Sequence, residues 1–176
     1  MRIIAGRLKG ATFASPHGHR THPMSDKARG ALFNALGDIE GLSVLDAFAG
    51  SGALAFEALS RGAAAAMLVE RDKSAQRAIA ENIAALTVNN RAKLIRASAN
   101  AWLSTSDNSF DLVLLDPPYD DLKTTLLIEL ADCVKTGGVV VVSLPPTETV
   151  PLGPAYQHLA TNAYGDATLV FYRRIS

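Results

Sequence analysis

The stretch Phe110 to Asp121, FDLVLLDPPYDD, places a carboxylate, two prolines and an aromatic ring directly after an apolar run. Adjacent prolines continue neither a helix nor a paired central strand. The sequence therefore predicts a buried strand that ends by presenting Asp116, Pro117, Pro118 and Tyr119 together. Such a group suits a planar amine. The exocyclic nitrogen of a nucleobase is a weak nucleophile, because its lone pair is delocalised into the ring. Acceptors that hold its N–H groups aim that lone pair outward. Asp116 offers one acceptor and the carbonyl of Pro117 a second, with no competing N–H, while Tyr119 can stack on the base.

A second constellation lies upstream in VLDAFAGSGALAFEALSRG. Asp46 and two glycines, Gly50 and Gly52, fall where a strand turns into a helix. Ligands of open α/β sheets sit at the carboxyl ends of the strands. Glycines let the backbone turn tightly and approach a ligand, and a helix start offers unpaired N–H groups. Glu70 ends the next strand, 18 residues after Gly52, where a carboxylate can accept both hydroxyls of a ribose. NAD and S-adenosylmethionine both fit this much. The sign of Asp46 favours S-adenosylmethionine: a carboxylate ahead of the glycines repels a pyrophosphate but attracts an amino-acid ammonium or a sulfonium.

The elements that must position these residues follow from periodicity. From Leu42 onward, apolar strands alternate with helices: LSVLDAFAG, GALAFEALSRG, AAAMLVE, DKSAQRAIAENIAAL capped by Asp72, AKLIRA, a short helix at Ala99–Leu103, FDLVLLD, DLKTTLLIELADCV and GGVVVVSL. This pattern predicts a parallel sheet covered on both faces. YQHLATNAYG and ATLVFYRR, around a Gly-Asp turn, predict an antiparallel pair at one edge. Before the core, RIIAGRLKGATFAS reads as one or two short strands, a candidate hairpin. PHGHRTHP reads as a loop, and Ser25 caps a helix that stops at Gly37. A boundary near Gly37–Gly41 divides residues 1–40 from a core of residues 41–176.

The chain has 176 residues, 48% hydrophobic and 19% charged, with a formal net charge of zero. That is enough for one domain with a sizeable core. Its one cysteine, Cys133, rules out an internal disulfide and a cysteine-based zinc site. His17, His19 and His22 form a loop cluster with no acid or cysteine nearby, so no metal site is expected. With no run long enough to span a membrane, a cytoplasmic protein is the expectation. The charge is unevenly spread. Residues 1–30 hold six Lys/Arg against one acid, a balance of +5 that leaves −5 for the remainder. A basic arm on an acidic body is a footprint for phosphate contacts.

Together, DAFAGSG and DPPY resemble the class I, Rossmann-like S-adenosylmethionine-dependent amino-methyltransferases. More narrowly, MRIIAG, FAGSGALAFEALSRGA and LLDPPY resemble the bacterial 16S ribosomal RNA guanine-N2 methyltransferase family, from Met1 to about Leu144. The resemblance implies a mostly parallel seven-stranded sheet with an antiparallel C-terminal edge, plus a small N-terminal hairpin and helix. It implies S-adenosylmethionine as cofactor, held by Asp46, Phe48, Gly50, Gly52, Glu70 and Arg71, and catalysis at Asp116–Tyr119. Arg7, Lys9, Arg20 and Arg29 would hold 16S rRNA or the small ribosomal subunit, with the protein acting as a monomer. The chain departs from the family at Thr21–Met24 (THPM), at Gly30 after Arg29, and after the third strand, where no acid is available for the adenine. Ser98 or the Ala99 N–H is expected there instead.

Three rival readings predict other things. A DNA adenine-N6 methyltransferase shares the clamp but normally carries a target-recognition insert, for which the short connections here leave no room. A non-catalytic RNA-binding protein on the same fold would have no use for the intact acids and glycines. An NAD oxidoreductase gives DPPY no job.

Overall fold

The computed structural model describes residues 1–18 and 23–176; Arg20, with His19 and His22, lies outside the described residues. Seven strands form one sheet: β1 (Ser43–Asp46), β2 (Ala65–Glu70), β3 (Ala92–Arg96), β4 (Phe110–Leu115), β5 (Val134–Leu144), β6 (Tyr156–Tyr164) and β7 (Ala167–Arg174). Their order is β3-β2-β1-β4-β5-β7-β6. The first five are parallel, and β7 runs antiparallel to both β5 and β6. The helices are α1 (Asp26–Leu36), α2 (Ala53–Ser60), α3 (Lys73–Ala85), α4 (Ala99–Leu103) and α5 (Thr124–Ala131).

The near-continuous apolar strands are explained by burial on both faces. Val44, Leu112, Leu114 and Val141 face one core, shared with Leu32 and Phe33 of α1, Phe56 and Leu59 of α2, and Ile79 of α3. Their neighbours Leu45, Val113, Leu115 and Val142 face a second core, with Trp102 of α4 and Leu127 and Leu130 of α5. By the same two-residue alternation, Asp46, Asp116 and Ser143 continue the rows that face the first core.

Sequence and structure differ at the N-terminus. The expected hairpin is reduced to a single antiparallel bridge, Arg2 with Thr12, flanked by bonds such as Ile3 N–H to the Ala11 carbonyl, 3.0 Å. A ladder cannot extend, because its donors are used elsewhere. The N–H groups of Ile4 and Ala5 donate to the Glu57 carboxylate at 2.9 and 3.0 Å. Leu8 N–H donates to Ser60 Oγ at 2.9 Å, and Arg7 N–H to the Ser60 carbonyl at 2.7 Å. Gly6 sits at φ +83°, and a Cβ there would fall 2.0 Å from that carbonyl, so only glycine permits the approach. Further along, buried Asn82 on α3 grips Ala14 at both its N–H (2.8 Å) and its carbonyl (2.9 Å). Residues 1–17 are thus stitched along α2 and α3.

Candidate active site

The glycine loop is built as the sequence requires. β1 delivers Asp46, and the chain then turns through Gly50 at φ +54° and Gly52 at φ +82° before entering α2. Gly52 is the cap of α2 and supplies no side-chain bond to its first turn. A Cβ at Gly52 would lie 2.5 Å from the Phe56 ring, so the left-handed conformation and the close packing both demand glycine.

Glu70 closes the loop from the neighbouring strand. One carboxylate oxygen accepts from Gly50 N–H at 2.7 Å, and the other from Asp72 N–H at 2.7 Å. Each oxygen keeps a second lone pair for a hydroxyl. The loop and the acid that would meet a ribose are therefore one rigid unit.

Asp46 is the most unusual group in the molecule. It is 1% exposed, and neither carboxylate oxygen has a hydrogen-bond partner. Burial first, then the nearby Asp116, pushes its pKa up to about 8. The N–H groups of Ala55 and Phe48 pull the other way without forming a well-aligned bond. A buried carboxylate with no partner is costly, and a cation seated beside it would satisfy it. That is the fit expected for S-adenosylmethionine.

Asp116 follows β4 at the same end of the sheet. Burial raises its pKa to about 6, and the neighbouring Ser143 side chain opposes the shift. Tyr119 opens a 3-10 turn, Tyr119–Asp121. It is 37% exposed, and its hydroxyl lies 2.7 Å from Ser143 Oγ. Pro118, at φ −64°, fixes the turn.

Other expected site residues are placed less directly. Phe48 is half-buried against the second core. Arg71 is exposed and lies 3.5 Å from Asp121. Ser98 spends its oxygen capping α4, accepting from Ala101 N–H at 3.2 Å, and Ala99 is buried behind it. Lys9 is exposed, and Arg7 pairs with Glu40 at 3.0 Å on the surface. Two open surface depressions, of about 420 and 500 Å³, lie elsewhere and touch none of Asp46, Glu70 or Asp116.

Arg29 is a correction. Expected to face RNA, it is fully buried. It donates to the Arg2 carbonyl at 2.8 Å and to Asp26 at 2.9 Å, and lies 3.8 Å from Glu57. α1 packs this face inward, so the guanidinium neutralises a buried acid and is withheld from solvent. Glu57, Ser60, Asn82 and Ser143 carried no assigned role in the sequence. EALSRG was conspicuous as a string, but nothing in it says that Glu57 and Ser60 reach back to residues 4–8.

Strand order, the antiparallel β7 and an unpaired acid before a glycine turn define a class I S-adenosylmethionine-dependent methyltransferase. Comparison with known proteins agrees and goes further. The chain belongs to the family described as Conserved hypothetical protein 95, whose model matches residues 1–173. It is 38% identical over 120 residues to Ribosomal RNA small subunit methyltransferase D of Escherichia coli K12, an alignment covering 68% of this chain and 60% of that one. It is 31% identical to the protein of the same name from Buchnera aphidicola of Acyrthosiphon pisum, covering 84% and 80%. Among solved structures, a hypothetical protein of Thermus thermophilus, TTHA0928, superimposes with a TM-score of 0.85 at 29% identity, covering 98% of this chain and 99% of that one.

Proposed function

We propose that this protein transfers a methyl group to the exocyclic N2 amine of a guanine in small-subunit ribosomal RNA. The observation that carries the reading is the placement of the unpartnered Asp46 near Asp116 at the carboxyl ends of adjacent parallel strands. The first suits a cation, the second an amine. The names of the relatives supply the RNA, and the resemblance of MRIIAG and LLDPPY to the guanine-N2 family supplies the base.

When bound, S-adenosylmethionine supplies an electrophilic methyl group on a sulfonium. Asp46 would face its cationic amino-acid portion, Glu70 its ribose, and Ser98 or the Ala99 N–H its adenine, with Gly50 and Gly52 allowing close approach. Phe48 and Arg71 flank that pocket. Asp116 and the Pro117 carbonyl would hold the amine N–H groups while Tyr119 stacks on the base. Asp116 would hold the amine so that its lone pair points at the methyl group, and would take the displaced N–H proton unless the product amine loses it to water. The residues' main contribution is orientation. A base paired in a duplex cannot enter, so the target must be unpaired or flipped out. Lys9 and Arg7, with Arg20, form the RNA-facing cations of the arm, and the protein acts as a cytoplasmic monomer.

The test is incubation with methyl-labelled S-adenosylmethionine and, separately, unmodified small-subunit particles, naked rRNA and DNA, followed by mass spectrometry of nucleosides. N2-methylguanosine from the rRNA samples is expected. Label only in DNA, as N6-methyladenine, would keep the DPPY chemistry and overturn the substrate. Asp116→Ala should lower turnover by about a thousandfold or more while cofactor affinity changes little; near-normal turnover would remove Asp116 from its role.

A further inference from the structure

Ser143 belongs to none of the motifs that identify the site, yet it stands at the centre of the amine clamp. β4 and β5 are parallel, with Leu115 opposite Val142, so the next pair along the strands is Asp116 and Ser143. Both continue the rows facing the first core. Ser143 is 2% exposed, at a position where its flanking residues are valine and leucine. A buried hydroxyl needs partners. It has Tyr119, whose hydroxyl oxygen is 2.7 Å away, and Asp116 stands next to it across the strand pair, where the Ser143 side chain lowers the carboxylate's pKa.

We propose that Ser143 is a positioning residue that ties the carboxylate of Asp116 to the hydroxyl of Tyr119, so that the amine acceptor and the base-stacking ring are set as one unit. The proposal rests on the amino-methyltransferase reading above. Hydrogen-bond inventory fixes the direction. A serine hydroxyl has one proton, and an ionised carboxylate can only accept. In the proposed arrangement Ser143 donates to Asp116, and Tyr119 O–H donates to Ser143. This chain gives the tyrosine hydroxyl a function that stacking alone does not, since a phenylalanine would stack equally well.

The chain also bears on the proton affinity of Asp116. Asp46 from β1 faces Asp116, and Glu70 from β2 lies behind Asp46. Tyr119 comes from Asp116's own loop, and Asp166, in the β6–β7 turn, faces Tyr119. Burial raises the proton affinity of Asp116, and the Ser143 side chain is the group that opposes it and holds the carboxylate down.

The experiment compares wild type with Ser143→Ala, Ser143→Thr, Tyr119→Phe and the Ser143→Ala/Tyr119→Phe double variant. Ser143→Ala should lower kcat about tenfold with the KM for S-adenosylmethionine unchanged, and move the acidic limb of the rate profile to higher pH. Ser143→Thr, which keeps the hydroxyl, should restore most of the rate. Tyr119→Phe should lose a comparable factor, and the double variant should be no worse than either single one. A neutral Tyr119→Phe, an unshifted acidic limb in Ser143→Ala, or multiplying losses in the double variant would each overturn the proposal. Titration of the Asp116 carboxylate by carbon-detected NMR needs no substrate. If wild type fails to methylate RNA, the substrate reading falls. The titration then still decides this inference: an upward move of Asp116 in Ser143→Ala supports it, and no move rejects it.

Discussion

Asp46 and Glu57 are both buried, one ending β1 and the other in the middle of α2, and their surroundings are opposite. Glu57 is saturated. It accepts from Ile4 and Ala5 N–H and from Arg61 Nε at 2.9 Å, with Arg29 3.8 Å away. Asp46 has no partner. The first is a fastener holding the N-terminal segment against the helix that leaves the glycine loop. The second, under the proposed function, is a seat for positive charge. Burial alone does not distinguish a structural acid from a ligand-binding one; the pairing of its oxygens does.

The comparison can be broken first at the fastener. Glu57→Ala leaves buried Arg29 with Asp26 as its one remaining acid, and two backbone N–H groups without an acceptor. The cost should be about 3–5 kcal/mol, read as a lowered urea midpoint. A loss below about 1 kcal/mol would mean the seam is incidental. At the seat the pattern should invert. Asp46→Asn should weaken binding of S-adenosylmethionine by about ten- to a hundredfold, roughly 1.4–2.8 kcal/mol, measured by calorimetry. The ligand-free protein should be no less stable, because a desolvated acid has been removed. A destabilised, normally binding Asp46→Asn would erase the distinction.

The third effect is pH dependence, and it sharpens the contrast. The folded pKa values of Asp46 and Asp116 are raised, to about 8 and about 6. The folded state therefore holds these protons more tightly than the unfolded chain. Their contribution to stability is fully present below the ordinary carboxylate pKa. It is lost as pH rises through about 6 and then about 8. Cofactor binding has the opposite sign, since a cation prefers ionised Asp46. Affinity should fall as pH drops from about 8.5 to about 6.5, by at most about tenfold per unit. Binding at pH 7 should release a proton, visible as an enthalpy that depends on the buffer's heat of ionisation. Asp46→Asn should flatten both trends.

The core was largely legible in the sequence, because its signals are local. Alternating strands and helices between Leu42 and Leu144, the Ser25 and Asp72 caps, and the Gly165–Asp166 turn all emerge where periodicity and turn chemistry place them. Strand bounds moved where neighbours decide them: β5 begins at Val134, ahead of the glycines that open the apolar run, because Val134 pairs with Phe110. The hairpin differs for a long-range reason. Its donors go to Glu57 and Ser60, more than fifty residues away. Arg29 differs likewise, since a cation in a basic segment reads as surface until a helix turns it toward a buried acid.

Residue types alone determined the chemistry on offer: an acid before two glycines, an acid ending the next strand, and an acid with prolines and a tyrosine ending a later one. Each is a short segment whose backbone preferences are its own. Only the tertiary structure decided which carboxylates are paired. It left Asp46 unpartnered, saturated Glu57, drew Arg29 inside and brought Ser143 to Tyr119. Pairing depends on strand order and helix docking, which join residues far apart in the chain, and there desolvation gives each hydrogen bond, made or missing, its weight.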